Sequence, residues 1–306
     1  MNKADTFQKI ANDRNFIIDC YNEMLSRINE VEVIELLRNN RLPDTGNEKL
    51  PSDKIIQSLS IYFQLMTLVE ENATTQYRRK MENHEEIHSI RGSWAEAFKG
   101  RNNLGVVSGI SYLHYDHRDI REISEYLENG FIKGLKFYPG YEPFYPNNIR
   151  LKLLYEMAIE YDVPVMFHSG DTYAPTGKIK YSHPLHIDDL AVDYPDLKIV
   201  ICHVGNPWIK DCMEVVYKNK NVYADISGLV LGNFSEKFER FMKKEIEEMI
   251  TYAGDPNYLL YGTDWPISNM ESYLKFVGQL DLEEEKKELI LWKNAAKLFN
   301  IDVTSL

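Results

Sequence analysis

The stretch VPVMFHSGD (163–171) joins a short apolar run that favours β-structure to a histidine, a glycine and an aspartate. The same arrangement recurs in LKIVICHVGNPW (197–208), which carries His203, and in YLLYGTDWP (258–266), which carries Asp264. Apolar runs of this length, followed by glycine, are typical of buried parallel strands. Because α/β folds bind ligands at the carboxyl ends of such strands, the pattern predicts a site where these three runs end.

Short β-rich runs alternate with helical segments from residue 104 onward. The predicted strands span residues 104–112, 134–138, 163–168, 197–203, 221–226 and 258–264. Between them, apolar residues recur at helical spacing over 119–129, 149–161 and 235–253. This alternation predicts parallel strands with crossover helices, and the length of each unit suits a (β/α) barrel of the TIM type.

The first 103 residues predict helices instead. An amphipathic stripe runs along one helical face through Ile17, Tyr21, Met24, Ile28 and Val31. A second helix is expected after Pro51 and continues toward His84 and His88, which we interpret as a solvated polar face. The expected organisation is therefore a helical segment over 1–103 and an α/β barrel over 104–306, whose first two strands are not recognisable.

Composition narrows the function classes. The chain has 306 residues, with 35 Lys and Arg against 47 Asp and Glu, a net charge of −12 that disfavours a nucleic-acid partner. No apolar run approaches the roughly 20 residues of a membrane span, and MNKADTFQKIANDRN (1–15) lacks an apolar signal region. We expect no membrane contact and a cytoplasmic protein. The three cysteines have no CxxC spacing, so any metal would be held by histidine and carboxylate.

The three strand-end residues suit metal chemistry. His168, His203 and Asp264 offer the mixed nitrogen and oxygen ligands that a first-row divalent ion takes. Such an ion lowers the pKa of bound water toward about 7. Asp264 would then accept a proton, and His203 would polarise a carbonyl or guide the water. Lys136, in GLKFYP, would pair with a substrate carboxylate or form a salt bridge inside the barrel.

Aromatic side chains beside these positions would form the walls of a small-molecule site, with packing as the alternative for each. They are Tyr138, Tyr141, Trp208 and Trp265. Weaker candidates are His183 and His186 as loop anchors, His114 and His117 as surrogate ligands, and Asp225 as a carboxylate that binds a histidine or lysine.

Residues 104–306 resemble the amidohydrolase superfamily, specifically the amidohydrolase-related branch that includes the aminocarboxymuconate-semialdehyde decarboxylases. The matching motifs are GLKFYPGYEPFYPNN (134–148), VPVMFHSGDT (163–172), SHPLHIDDLAVDYPDLKIVICHVGNPW (182–208), NVYADISGLV (221–230), YLLYGTDWP (258–266) and ILWKNAAKLF (290–299). The resemblance implies His168 and Asp264 as metal ligands and His203 as the catalytic imidazole. It further implies a hydrolase with one zinc or manganese ion, acting on a small carboxylated substrate, or a non-oxidative decarboxylase.

The sequence departs from the family at its opening HxH pair, which occurs nowhere in the chain. The nearest equivalent is IIDCYNE (17–23), where Tyr21 and Glu23 would replace the histidines. Glutamate could bind a metal but tyrosine rarely does, and the same residues fit the amphipathic helix better. Because one histidine and one aspartate hold zinc weakly, a degenerate binding or regulatory subunit without metal is the alternative. Two missing strands would also leave sheet edges for a second copy or a partner chain to cover.

A fainter resemblance, over RNFIIDCYNEML (14–25) and SIYFQLMTLVEENATTQYRRK (60–80), is to the N-terminal helices of phosphoenolpyruvate carboxylases.

Overall fold

The computed structural model describes residues 106–113, 115–172, 174–264 and 268–301. The predicted helical segment, with Tyr21, Glu23, His84 and His88, lies outside the described residues, as do His114 and Trp265. Within the described part, strands and helices alternate along the chain. The strands are β1 (Val106–Gly109), β2 (Ile132–Phe137), β3 (Val165–Phe167), β4 (Ile199–Ile201), β5 (Val222–Asp225) and β6 (Leu259–Leu260).

All six strands form one parallel sheet in chain order, β1 to β6. Leu135 of β2 pairs with Val165 of β3, which in turn pairs with Ile199 of β4. Five of the six strands are shorter than their predicted runs, whereas β2 begins two residues before the predicted run 134–138 and ends one residue before its end. The predicted strand 197–203, for example, ends at Ile201, and His203 lies in the tight turn Cys202–Gly205.

Most of the helices pack against the outer face of the sheet, whereas the last one contributes Ala295 and Leu298 to the cluster on the inner face. The helices are α1 (His117–Glu128), α2 (Lys152–Glu160), α3 (Leu185–Asp193), α4 (Ile209–Lys218), α5 (Glu236–Ala253), α6 (Met270–Gly278), α7 (Glu284–Glu288) and α8 (Asn294–Leu298). Their starts follow side-chain capping rules: the Asp116 carboxylate accepts from the backbone N–H groups of Arg118 and Asp119 at the start of α1. Ser235 caps α5 in the same way. No helix in the described ranges is long and apolar enough to cross a membrane.

Apolar residues pack on both faces of the sheet. The larger cluster lies between the sheet and its helices, and a smaller one fills the inner face, where Met166, Val200 and Leu260 meet Leu298 and Phe299 of the C-terminal region. Buried apolar area of this extent is the main stabilising contribution to the fold.

Side chains two residues apart on a strand share a face, so the inner face continues from the apolar cluster toward the strand ends. Met166 is followed by His168, Val200 by Cys202, and Tyr223 by Asp225. On β2, Lys136 pairs with Met166 in the sheet register. The alternation thus places a polar layer on top of the inner apolar cluster, at the carboxyl ends of the strands.

Candidate active site

His168 follows β3 and is buried, with 4% of its surface exposed. Its Nε2 lies 2.9 Å from the backbone carbonyl of Asp171, which can only accept, so Nε2 carries the proton and Nδ1 the lone pair. Burial, and then the nearby His203 and Lys136, hold the pKa of His168 well below its ordinary value. His168 is therefore a neutral imidazole at pH 7.

Gly170 allows the loop after His168 to approach the loop after β4. Its φ is +95°, and a Cβ at this position would lie 2.1 Å from the backbone oxygen of Asn206. The N–H of Asp171 donates to that same Asn206 oxygen at 2.9 Å. The glycine of the HSGD motif is thus needed to bring the two histidine-bearing strand ends together.

His203 lies in a backbone turn of unusual conformation. His203 (φ 61°, ψ 25°) and Val204 (φ 43°, ψ 27°) are both left-handed, and Gly205 continues the run with φ 63°. A left-handed conformation costs about 1–2 kcal/mol for a residue with a side chain. The backbone N–H of His203 donates to Asp225 Oδ1 at 2.9 Å, which helps to hold the turn. Strain of this kind is concentrated at functional sites.

The two imidazoles and Asp264 lie together. The rings of His168 and His203 have centroids 5.1 Å apart. A Cβ built on Gly228 would lie 2.5 Å from His203 Nδ1 and 3.0 Å from Asp264 Oδ2, so both atoms flank the same glycine. Asp264 also has a positive φ of 66°. The three predicted residues, from three strand ends, are thus brought to one place.

Lys136 belongs to the interior of the same site. It is 5% exposed, and its Nζ lies 5.0 Å from the centroid of the Tyr138 ring. The Cys202 thiol hydrogen-bonds with both Lys136 and Asp225. Burial, followed by the charge of Asp225, raises the pKa of Cys202 well above its usual value, so it remains a thiol and not a nucleophile. Lys136 is a buried basic side chain close enough to His168 to lower the pKa of that imidazole.

Aromatic rings form one wall of the site. Tyr141 meets His168 edge-on at a centroid distance of 4.7 Å, and Tyr138 stacks on it at 6.0 Å. Trp208 lies farther along, against His183 at 4.6 Å. The predicted fourth wall residue, Trp265, is outside the described residues.

The weaker histidine candidates lie apart from this group. His186 contacts the Lys180 carbonyl through Nε2 at 2.7 Å, and His183 Nδ1 accepts from the N–H of Leu185 at 3.3 Å. His117 is exposed at the first position of α1. His183 and His186 are thus loop-anchoring contacts, as the sequence suggested.

Sequence reasoning missed Ser227 and Tyr273. The Ser227 hydroxyl bridges Asp225 and His203, at 2.5 Å from Asp225 Oδ1 and 2.9 Å from His203 Nδ1. The Tyr273 hydroxyl accepts from the backbone N–H groups of Leu229 and Val230, at 2.6 and 3.1 Å, and so fixes the loop that follows Ser227. In the sequence, the placement of Ser227 at the site is indicated only by its position two residues after Asp225, which faces inward.

The donor set fits part of a metal site. Catalytic zinc sites use three protein ligands and an open position. No three His, Cys, Asp or Glu side chains within the described ranges are grouped closely enough to hold an ion. His168 and Asp264 remain as donors, because Nδ1 of the neutral His168 keeps its lone pair. A complete site needs a further ligand beyond those that the described residues supply, and Glu23, which could bind a metal, lies outside them.

A match to a protein-family model identifies the family of the chain. The family model described as amidohydrolase matches residues 72–301, which is most of the chain. The chain therefore belongs to the amidohydrolase family, as the motif resemblance predicted. The match starts upstream of the predicted boundary near residue 104.

Solved structures share the fold. The chain is similar to a TIM-barrel protein from Bordetella bronchiseptica, with 23% identity, a TM-score of 0.54, and 70% of this chain and 72% of that chain covered. It is also similar to a dihydroxybenzoic acid decarboxylase from a Polaromonas species with bound manganese and 2-nitroresorcinol, with 16% identity, a TM-score of 0.53 and coverage of 91% and 92%. A third is a probable 2-pyrone-4,6-dicarboxylic acid hydrolase from Acinetobacter baumannii, with 14% identity, a TM-score of 0.50 and coverage of 71% and 81%. Together with the parallel sheet, these likenesses confirm the α/β, TIM-barrel-like fold. No curated protein matches the chain.

Proposed function

We propose that the chain is a metal-dependent hydrolase that acts on a small carboxylated substrate. The observation that carries the proposal is the meeting of His168, His203 and Asp264 at three strand ends, with the two imidazole centroids 5.1 Å apart. Two imidazoles and a carboxylate above a packed apolar layer are the ligand types that a divalent ion and a proton-transfer step both require.

Each residue has a distinct role in this proposal. His168 and Asp264 hold the ion, which when bound supplies Lewis-acid activation of a water molecule or a carbonyl group. His203 moves the proton between water and leaving group. The buried charge of Lys136 favours an anionic substrate, and the rings of Tyr138 and Tyr141 exclude water from one side.

Metal analysis of protein purified without chelator tests the proposal. We expect about one equivalent of zinc or manganese, which the variants His168→Asn and Asp264→Asn would lose. The exposed His117→Asn variant is the matched control and should keep it. A wild-type chain with less than a tenth of an equivalent, and with no uptake when Zn²⁺ or Mn²⁺ is added, would refute the metal claim.

Non-oxidative decarboxylation is the second candidate, favoured by the aromatic wall of Tyr138 and Tyr141 beside the positive Lys136. In this reaction the bond from the ring carbon to the carboxylate breaks, CO₂ leaves, and a proton from His203 or Asp264 replaces it. The Polaromonas relative is named for such a reaction on dihydroxybenzoic acid.

Two probes separate these candidates: CO₂ release from 2,6-dihydroxybenzoate, and ring opening of 2-pyrone-4,6-dicarboxylate. Turnover of the second alone supports the hydrolase, and turnover of the first alone supports the decarboxylase. A chain that turns over neither probe and takes up no metal supports the degenerate binding subunit instead. Light scattering would then show whether this subunit is a monomer or assembles with a second copy.

A further inference from the structure

We infer that Ser227 and Asp225 act as positioning residues that hold His203 in the tautomer with its proton on Nδ1, which leaves Nε2 as the basic nitrogen. The inference rests on the proposed function in one respect only, which is that Nε2 accepts a proton during the reaction. Its evidence is a hydrogen-bond chain in which Ser227, which the sequence did not indicate, links the candidate residues Asp225 and His203.

Asp225 determines which group donates and which accepts in these hydrogen bonds. It is 1% exposed, and its Oδ1 accepts from the backbone N–H of His203, the backbone N–H of Ser227 and the hydroxyl of Ser227. An ionised carboxylate only accepts, and a serine hydroxyl has a single proton. Because that proton points to Asp225 at 2.5 Å, the Ser227 oxygen presents only lone pairs to His203.

His203 must therefore donate through Nδ1. The Ser227 hydroxyl oxygen lies 2.9 Å from Nδ1, and the Ser227 backbone carbonyl lies 3.1 Å from it. A carbonyl oxygen cannot donate, so both neighbours require a proton on Nδ1. In a neutral imidazole, the hydrogen-bond partner of one ring nitrogen determines which of the two nitrogens carries the proton and which keeps its lone pair.

The two imidazoles therefore carry their protons on different ring nitrogens. His168 carries its proton on Nε2, donated to the Asp171 carbonyl, whereas His203 carries its proton on Nδ1. Nε2 of His203 is then available to accept a proton without any rearrangement of the ring. Ser227 contributes through His203 and is not itself a group that reacts.

Nitrogen NMR of the 306-residue chain, labelled with ¹⁵N-histidine, tests this inference. Spectra are recorded at increasing pH, and the tautomer is assigned where the histidine signals no longer change with pH. The His203 signals are identified by their absence in His203→Asn. We expect a protonated Nδ1 and an unprotonated Nε2 in the wild type.

Variants of Ser227 separate its role from general packing. Ser227→Ala removes one of two acceptors, so we expect the His203 signals to move toward a mixture of tautomers. Ser227→Thr keeps the hydroxyl and should restore the wild-type pattern. Thr251→Ala removes an exposed hydroxyl on α5 and is the control that should change neither nitrogen signal.

The possible outcomes are distinct. A wild-type His203 protonated on Nε2 overturns the inference, even if no Ser227 variant folds. Unchanged His203 signals in Ser227→Ala overturn the role of the Ser227 hydroxyl. A chain with the expected tautomer but without metal or turnover refutes the proposed function and supports this inference.

Discussion

Gly228 lies directly against the imidazole of His203. With φ at +60°, it brings the backbone so close that a Cβ would lie 2.5 Å from Nδ1 and 2.8 Å from Cε1. We expect Gly228→Ala to displace the ring and to lower stability by about 1–3 kcal/mol through backbone strain and overlap. Metal uptake and the His203 nitrogen signals report the displacement, and urea unfolding reports the stability.

Gly254→Ala is the matched control for that variant. Gly254 also has a positive φ, of +94°, but nothing lies within 4 Å of a Cβ built there. It should lose stability through backbone strain alone and keep the metal uptake and the His203 signals of the wild type. An unperturbed His203 in Gly228→Ala would contradict the close contact.

Tyr273 supports the loop after Ser227 through its hydroxyl group. Tyr273→Phe leaves the N–H groups of Leu229 and Val230 without their acceptor, and Leu229 is buried. Loss of a partner for buried donors costs about 1–3 kcal/mol. We expect the variant to unfold at lower urea concentration. Tyr217→Phe, at a side chain that is 50% exposed, should unfold as the wild type does, and equal losses in the two variants would argue against the loop contact.

Glu142 organises the loop after β1. Its carboxylate is buried and accepts from Ser111 Oγ and from the backbone N–H groups of Tyr112 and Leu113. In Glu142→Gln an amide NH₂ must face at least one of these donors, so we expect a loss of about 1–3 kcal/mol in denaturant unfolding. The same change at the exposed Glu160 should have almost no effect. A Glu142→Gln variant as stable as the wild type would show that the loop is held otherwise.

Asp116 gives the stability a defined pH dependence. Burial raises the pKa of its carboxyl group. This effect is outweighed by hydrogen bonds from the Arg118 and Asp119 backbone N–H groups and from the Arg118 guanidinium, so the pKa is lowered to about 2. A folded-state pKa below the unfolded value of about 3.9 stabilises the fold above that pH, and the contribution is lost as the pH falls toward 2.

Asp116→Ala should therefore cost about 1 kcal/mol near pH 7, as removal of a helix cap does, and progressively less below about pH 4. Urea unfolding of both proteins at several pH values measures the difference. Asp116→Asn, which can still cap the helix, should show a smaller loss at pH 7. A difference between wild type and Asp116→Ala that stays constant down to pH 3 would contradict the assigned pKa.

Strand order and fold class were predictable from the sequence because they depend on apolar runs and their alternation with helical segments. The run 163–168 became β3, and the run 221–226 became β5, each within a few residues. Boundaries were less predictable: β6 keeps two residues of the predicted run 258–264, since the chain leaves the sheet early to reach Asp264. The roles of His168, His203 and Asp264 stay predictions, although the structure brings them together.

The hydrogen-bond chain through Ser227 was not predictable because it depends on backbone geometry and not on residue type. The contact depends on the left-handed turn at His203, where Nδ1 lies 2.9 Å from the Ser227 hydroxyl oxygen. The inward position of Lys136 could be predicted from the alternation of side chains along a strand. Its contact with Cys202 could not, because that contact depends on the register between neighbouring strands.

The left-handed conformation of His203 determines how the role of its side chain can be measured. Alanine at this position removes the imidazole and also replaces a residue type that tolerates a positive φ with one that tolerates it less. A loss of function in His203→Ala would therefore combine two unrelated causes. Asparagine is enriched in this conformation, so His203→Asn changes the chemistry while it largely preserves the turn. Comparing the two variants separates the contribution of the imidazole from that of the backbone.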